Sequence, residues 1–194
     1  MSNGDTADWF ELTNFGDTTA NLANYRIDDS SFAVASSLAL NGITSISAGE
    51  SVIFTEGTAG TPLVNVAAFK ANWGLGAGVQ VGGYGGSGVG LNAAGDGVTL
   101  FTDSAANGGT ELPGAFGGLI RVSFGTATSG TSFNWTYDAT GASTSSPTGQ
   151  LTTSGTSWIN GTTNMLGTPG IVPEPSVALL GALGVLGLLR RRRA

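Results

Sequence analysis

The 194-residue chain contains no cysteine and no histidine. Without cysteine there is no disulfide scaffold, no thiolate nucleophile and no thiolate site for zinc or an iron–sulfur cluster. Without histidine, Ser-His-Asp and Cys-His machinery and imidazole ligation of metals are excluded as well. Cysteine usage of this kind fits an outward-facing bacterial protein and a cytosolic one equally. Basic residues are scarce: seven lysines and arginines stand against thirteen acids, a net charge of −6. Four of the seven close the chain as Arg190, Arg191, Arg192 and Arg193. Arg26, Lys70 and Arg121 are therefore the only cations of residues 1–175, which hold all thirteen acids and carry −10. So acidic a stretch repels phosphate backbones and anionic lipid, which argues against nucleic-acid binding. Long helical periodicity is nearly missing too, and 33 glycines among many Ser and Thr favour short strands and turns.

What is present is alternation. In DWFELT (8–13), Phe10 and Leu12 share one face, with Trp9, Glu11 and Thr13 on the other. SVIFTE (51–56) sets Val52 and Phe54 against Ser51, Ile53 and Thr55. VTLFTD (98–103) and LIRVSF (119–124) repeat the period, the latter aligning Ile120, Val122 and Phe124 against Leu119, Arg121 and Ser123. Period two marks strands with one buried face. Asn14–Asp17, Asn41-Gly42, Ala48-Gly49, Asp96-Gly97 and Asn107-Gly108-Gly109 read as turns between them. TPLVNVAAFKANWG (61–74) departs from the pattern: Val66, Phe69 and Trp73 have helical spacing, Thr61-Pro62 can start a helix and Gly74 can stop it. This predicts a short helix over one end of a sandwich. From Thr126 to Thr168 the chain is rich in Ser, Thr and Gly, yet FNWTY (133–137) and SWI (157–159) carry aromatics worth burying, so one or two late strands with loose loops are expected.

Residues 83–88, GYGGSG, match the glycine fingerprint of dinucleotide sites. That motif works between a strand and a helix whose N-terminus faces the pyrophosphate. Here a turn and a strand follow and no βαβ pattern surrounds it, so the stretch reads as a flexible glycine loop. Paired carboxylates are the one catalytic arrangement left open, with Glu11, Glu50, Glu56, Glu111 and Asp96 as the acids to consider for a sugar hydrolase. These acids fall at turns or on solvent-side strand positions. Asp28-Asp29 and Asp5-x-x-Asp8 lack EF-hand spacing and read as solvated acidic turns. Asn134-Trp135-Thr136 and Asn160-Gly161-Thr162 match the N-glycosylation pattern, as chance allows in a chain rich in Ser and Thr.

The C-terminal end has three parts in order: Val172-Pro173-Glu174-Pro175-Ser176, a run from Val177 to Leu189, and the arginines. Thirteen apolar or glycine residues, among them Val177, Leu179, Leu180, Leu183, Val185, Leu186, Leu188 and Leu189, reach roughly 20 Å as a helix. A stable span needs about 20 residues. Four arginines would hold the end of the run in the cytoplasm and place the body outside, and Pro173 and Pro175 keep the approach to it extended. The combination resembles the PEP-CTERM sorting signal. The resemblance implies export across the inner membrane of a Gram-negative bacterium, processing by an exosortase-type membrane protease, and delivery to the cell surface or exopolysaccharide matrix. The arginines then act as a topological stop for a segment that is discarded.

The body resembles lamin-tail domains: DWFELTNFGDTTANLANYRIDD is similar to their opening strand with E-L-x-N, turn and second strand. GITSISAGESVIFTE, GLNAAGDGVTLFTD and Gly167-Thr168-Pro169-Gly170 are similar to later segments of that pattern. The fold this implies is all-β, an immunoglobulin-like β-sandwich with one short helix, and the role is binding or structural. Residues 74–90 are an insert relative to it. The pattern also has a strand ahead of SNGDTADWFEL, and export through Sec needs an apolar N-terminal signal. Both are therefore expected upstream, with Met1 an internal methionine of the first strand.

The expected organisation is a lamin-tail-like sandwich over 1–168, loosely packed from 126, a Pro-Glu-Pro linker at 169–175, and a short transmembrane helix with its arginine cluster at 176–194. The expected function is that of an exported, non-enzymatic surface or matrix protein, without cofactor, metal or catalytic residues. Its partners would be the exosortase-type protease, transiently the inner membrane, and exopolysaccharide. The alternative is a carbohydrate-binding or enzyme-accessory module stacking Trp73, Tyr84 or Trp135 on sugars. A carboxylate-based hydrolase is the third class.

Overall fold

The computed structural model describes residues 7–126 apart from 15, 87 and 113–120, together with 132–134, 150–151, 156–160, 163–167 and 169. The strands are β1 (Trp9–Thr13), β2 (Ala20–Asn21), β3 (Arg26–Asp28), β4 (Leu38–Asn41), β5 (Ser45–Ile46), β6 (Ser51–Gly57), β7 (Val81–Gly85), β8 (Asp96–Phe101) and β9 (Arg121–Phe124). Four more follow: β10 (Phe133–Asn134), β11 (Gln150–Leu151), β12 (Thr156–Asn160) and β13 (Thr163–Gly167). One helix, α1 (Val66–Trp73), lies between β6 and β7. Seven strands form one sheet in the order β1-β6-β7-β4-β3-β8-β9; β2/β5, β10/β11 and β12/β13 are separate antiparallel ribbons. The described residues are thus mostly β with one short α-helix, and β10 and β12 fall on the two late aromatic segments.

The main core lies on one face of this sheet. Phe10 of β1 and Phe124 of β9 stand on opposite edge strands yet belong to the same buried cluster, with Val52, Phe54, Tyr84, Leu40, Ile27, Val98 and Leu100 between them. A flat seven-stranded sheet cannot bring its two edges to one cluster, so the sheet curls around it, and Leu22, Ile43 and Ile46 close the opening from the β2/β5 side. Phe10 stacks on Phe54 with centroids 5.5 Å apart and meets Tyr84 at 5.7 Å. Each such ring contributes about 1.5–3 kcal/mol by leaving water.

Period two assigns these faces correctly, but the second face of β6 is not open to solvent. Ser51 to Thr55 are all buried. Ile53 packs beneath Phe69 and Trp73 of α1, with Trp9, Leu75, Val79 and Val81 around them, and Trp9 meets Phe69 edge-on at 5.6 Å. The helix covers a face of the sheet rather than one end. It is the crossover between β6 and β7, which pair in parallel, so a βαβ unit is present after all. α1 stops where the sequence says: Gly74 is left-handed (φ 63°), and Leu75 N–H bonds the Lys70 carbonyl at 2.9 Å, a Schellman motif. It starts four residues after Pro62 because Thr58 and Thr61 first pair with each other, and the Pro62 carbonyl is laid against the backbone of β7.

That contact explains the glycines. The segment expected to be a flexible loop contains β7, a central strand between β6 and β4. A Cβ on Gly82 would stand 2.9 Å from the Phe54 ring, and one on Gly83 would collide with the Pro62 carbonyl oxygen. The absent side chains let the crossover and a core ring lie directly on the strand. Asp96-Gly97 likewise opens β8 instead of forming a turn, the turn being Asn92–Gly95, where Gly95 N–H bonds the Asn92 carbonyl at 3.0 Å.

Asn14 gives the E-L-T-N segment a structural task. Its side-chain amide donates to the carbonyls of Thr18 (2.8 Å), Ile46 (3.0 Å) and Ser47 (3.1 Å), and its Oδ1 accepts the Gly16 N–H. One side chain thereby ties the end of β1 to the turn ahead of β6.

Two measurements of chemical denaturation check this packing. Gly83→Ala is expected to cost at least about 2 kcal/mol, since backbone is what it meets. Gly85→Ala, whose Cβ would sit 3.4 Å from its nearest neighbour, should stay within about 0.5 kcal/mol. Equal effects would refute the close-approach account. Phe54→Ala should cost about 3–5 kcal/mol, and a neutral result would remove Phe54 from the core.

Candidate functional site

Val172–Ser176, the run 177–189 and Arg190–Arg193 lie outside the described residues. Among the described residues no helix is long and apolar enough to cross a membrane, and no three His, Cys, Asp or Glu side chains gather as a metal set.

The aromatic platforms proposed for sugar stacking are corrected by burial. Trp73 is 5% exposed and Tyr84 0%, so neither ring offers a face to a saccharide. Trp73 lies under α1 against Ile53, and Tyr84 fills the core beside Phe10. Trp135 lies outside the described residues.

Most of the acids considered for catalysis hold structure. Glu50 accepts the Ser47 N–H at 2.7 Å and the Gln80 amide at 2.8 Å, which keep its carboxyl below the usual range, the Gln80 bond foremost. Glu111 is gripped by Arg121, with Nη2 at 2.7 Å from Oε2, and accepts the Thr99 hydroxyl at 2.8 Å; Arg121 chiefly lowers its pKa. Arg121 also lies 4.7 Å from the Phe32 ring centre. Asp96 takes backbone N–H groups from Ser30 (3.0 Å), Asn92 (2.6 Å) and Gly97 (2.8 Å). Asp28 is not part of a solvated turn: it is fully buried and accepts Ser31 Oγ (2.6 Å), Ala33 N–H (2.7 Å) and Ser36 Oγ (2.9 Å), shaping the loop after β3. Asp5 lies outside the described residues. Glu11 is on β1, on the Trp9 side away from the main core.

Glu56 differs from these. It pairs in register with Asp8, whose carbonyl accepts the Glu56 N–H at 2.6 Å, and with Tyr84 on the other side. Desolvation first, and the Asp8 carboxylate second, push the Glu56 carboxyl up. Burial, followed by Asp8, Glu56 and Asp96, pushes the Tyr84 phenol well up. The Tyr84 hydroxyl is buried without a hydrogen-bond partner. The signal for this grouping was present, because Asp8 continues the Phe10–Leu12 stripe and Glu56 continues the Val52–Phe54 stripe, so both belong on the core face. What alternation could not supply is that the two strands are neighbours.

The residues in this row form a compact polar patch at one end of an otherwise apolar face. Compared with protein-family models, curated proteins and solved structures, the chain matches none.

The sign of the Glu56 effect is testable. A carboxyl raised in the fold stabilises fully below its ordinary pKa, and that contribution is lost as pH rises through the raised value. At neutral pH, Glu56→Gln should therefore raise the melting temperature, with the gain shrinking as pH falls through the raised value and gone below about 4.5. Glu50→Gln should do the reverse, because a lowered carboxyl stabilises above its ordinary pKa and loses this as pH falls. Loss of stability in Glu56→Gln at pH 7 would contradict the electrostatic account of the row.

Proposed function

We propose that this chain is an exported, non-enzymatic cell-surface or matrix protein, sorted through residues 172–194 as a PEP-CTERM-type signal and carrying a lamin-tail-like, immunoglobulin-like sandwich as its body. The observation that carries the proposal is the order Pro-Glu-Pro, short apolar run, arginine cluster in a chain whose residues 1–175 hold only three of its seven lysines and arginines. A thirteen-residue run covers about two-thirds of a bilayer core, which suits a segment removed after use better than a permanent anchor. Pro173 and Pro175 disfavour a helix in the Pro-Glu-Pro stretch, which suits recognition by a protease. The sandwich-like all-β body, with Asn14 knotting the strand–turn that follows E-L-T, supports the lamin-tail part of the reading. Most of the acids weighed for a hydrolase are occupied by structural bonds, which favours a binding or scaffolding role.

Intact-mass measurement of protein released by the native host tests the sorting reading. The mature form is expected to lack Leu183 and everything after it. Replacing Pro173, Glu174 and Pro175 by alanine should leave an unprocessed, membrane-retained form, whereas replacing the four arginines by serine should degrade orientation first. A released species still ending in Arg-Arg-Arg-Arg-Ala would sink the proposal in favour of a plain tail anchor.

A further inference from the structure

Two Asn-Gly pairs fall within the described residues, Asn41-Gly42 and Asn107-Gly108. In each pair the glycine is left-handed, with φ of 88° at Gly42 and 75° at Gly108, a conformation that favours a residue without Cβ. Gly109 is fixed as well, because a Cβ there would collide with the Asp103 carbonyl. Asparagine is chemically labile, and most so before glycine, whose backbone nitrogen no side chain shields from the neighbouring amide. The turn geometry therefore brings a reactive pair with it at both places.

The fold holds the two pairs very differently. Asn41 ends β4 and pairs in register with Gly83 of β7, and its carbonyl lies against Gly82. Its half-buried side-chain amide donates to the Ala39 carbonyl at 2.8 Å. Turning this residue toward the Gly42 nitrogen means parting two central strands. Asn107 instead closes a single 3₁₀ turn, Ala105–Asn107, which buries none of its residues. Its bonds are all local: Asn107 N–H to the Ser104 carbonyl at 3.1 Å, Gly108 N–H to the Ala105 carbonyl at 3.1 Å, and the side-chain amide to Asp103 Oδ1 at 3.0 Å. Hydrogen bonds of 3₁₀ turns have poor geometry, and exposed backbone without buried apolar contacts opens at little cost in free energy.

We infer that Asn107 is a self-modification site, at which the Gly108 nitrogen closes on the Asn107 side chain and converts it to an acid, while the sheet keeps Asn41 inert. The Gly108 nitrogen gives its proton to hydroxide and attacks Asn107 Cγ. The new N–Cγ bond forms as the Cγ–Nδ2 bond breaks, and Nδ2 takes a proton from water and leaves as ammonia. Water then opens the cyclic imide. Cleavage of the N–Cγ bond gives aspartate, and cleavage of the original peptide bond gives isoaspartate, whose main chain runs through Cγ and is one carbon longer. Water is the only co-reactant, and nothing is oxidised or reduced. The product sets a second carboxylate against Asp103, whose carboxyl is now held below its usual range by the Ser104 N–H first and the Asn107 amide second. It does so on the loop that carries Glu111 to Arg121, which Thr102 N–H pins to the Thr110 carbonyl at 2.9 Å. The chain thus acquires charge with age at one defined turn. The inference does not rest on the sorting reading.

The test is to age the full-length chain in mildly alkaline buffer and map it by peptide mass spectrometry, with the two acid isomers separated by chromatography. Asn107 is expected to accumulate aspartate and isoaspartate at a rate proportional to hydroxide, with Asn41 at least about tenfold slower. In strong denaturant, where neither turn nor sheet exists, the two sites should convert at similar rates. Denaturant just below the unfolding transition should speed Asn41 and leave Asn107 unchanged, since only Asn41 must wait for the sheet to part. Asn107→Gln, whose longer side chain closes a larger ring slowly, should abolish conversion at that position. Equal rates at the two sites in the folded chain would overturn the inference. So would an Asn107 that reacts only in denaturant, or one that accelerates in step with Asn41 below the transition.

Discussion

Ser51 to Thr55 of β6 have no face left for water, and much of the structure answers that demand. Val52 and Phe54 require a core on one side, which the curl of the sheet provides. Ile53 requires a cover on the other, and α1 provides it with Phe69 and Trp73. A helix on that face leads the chain back into the sheet beside β6 and in the same direction, so the next strand is parallel to it. The crossover must then lie close over the strand it has just delivered, and only glycine at 82 and 83 leaves the room. Two-sided burial of one strand therefore connects a βαβ unit, a glycine-rich central strand and the packing of Trp9 on the helix.

How much of this could be read in advance follows from the range of each signal. Alternation is local, and it put Phe10, Leu12, Val52, Phe54, Val98 and Val122 on the core side as the structure does. The end of α1 was legible because Gly74 acts within its own turn. Its beginning was not, since what delays it is the backbone of β7, about twenty residues on. GYGGSG looked like a loop for the same reason: a glycine run reads as freedom until something is seen lying on it. Trp73 and Tyr84 show the same limit, an aromatic being equally suited to a core and to a sugar until its neighbours are known. Asp8 was read as part of a solvated turn and Glu56 as a turn or solvent-side position, although the stripes of Phe10 and Phe54 run through them, and their pairing spans 48 positions and is a property of the sheet order alone.

Charge is distributed with similar economy. Arg26, Lys70 and Arg121 are each engaged locally, and Asp28, Asp96, Glu50 and Glu111 are enclosed by donors. With no histidine in the sequence, the fold works on carboxyls instead: desolvation and Asp8 raise Glu56, whereas the donors around Glu50 and Glu111 lower theirs.

The strand order has a consequence in time. Of the six joints in β1-β6-β7-β4-β3-β8-β9, the joints β1–β6, β7–β4 and β3–β8 connect strands distant in the sequence. Arg26 must wait for Phe101, and Phe10 for Phe54. Sheets assembled from such long-range contacts pay loop-closure entropy before pairing rewards it, and they fold slowly, in milliseconds to seconds. In this topology the seven-stranded sheet cannot be completed until β8 and β9 are in place, so Phe10 and Phe124, at opposite ends of residues 9–124, must meet before the core closes.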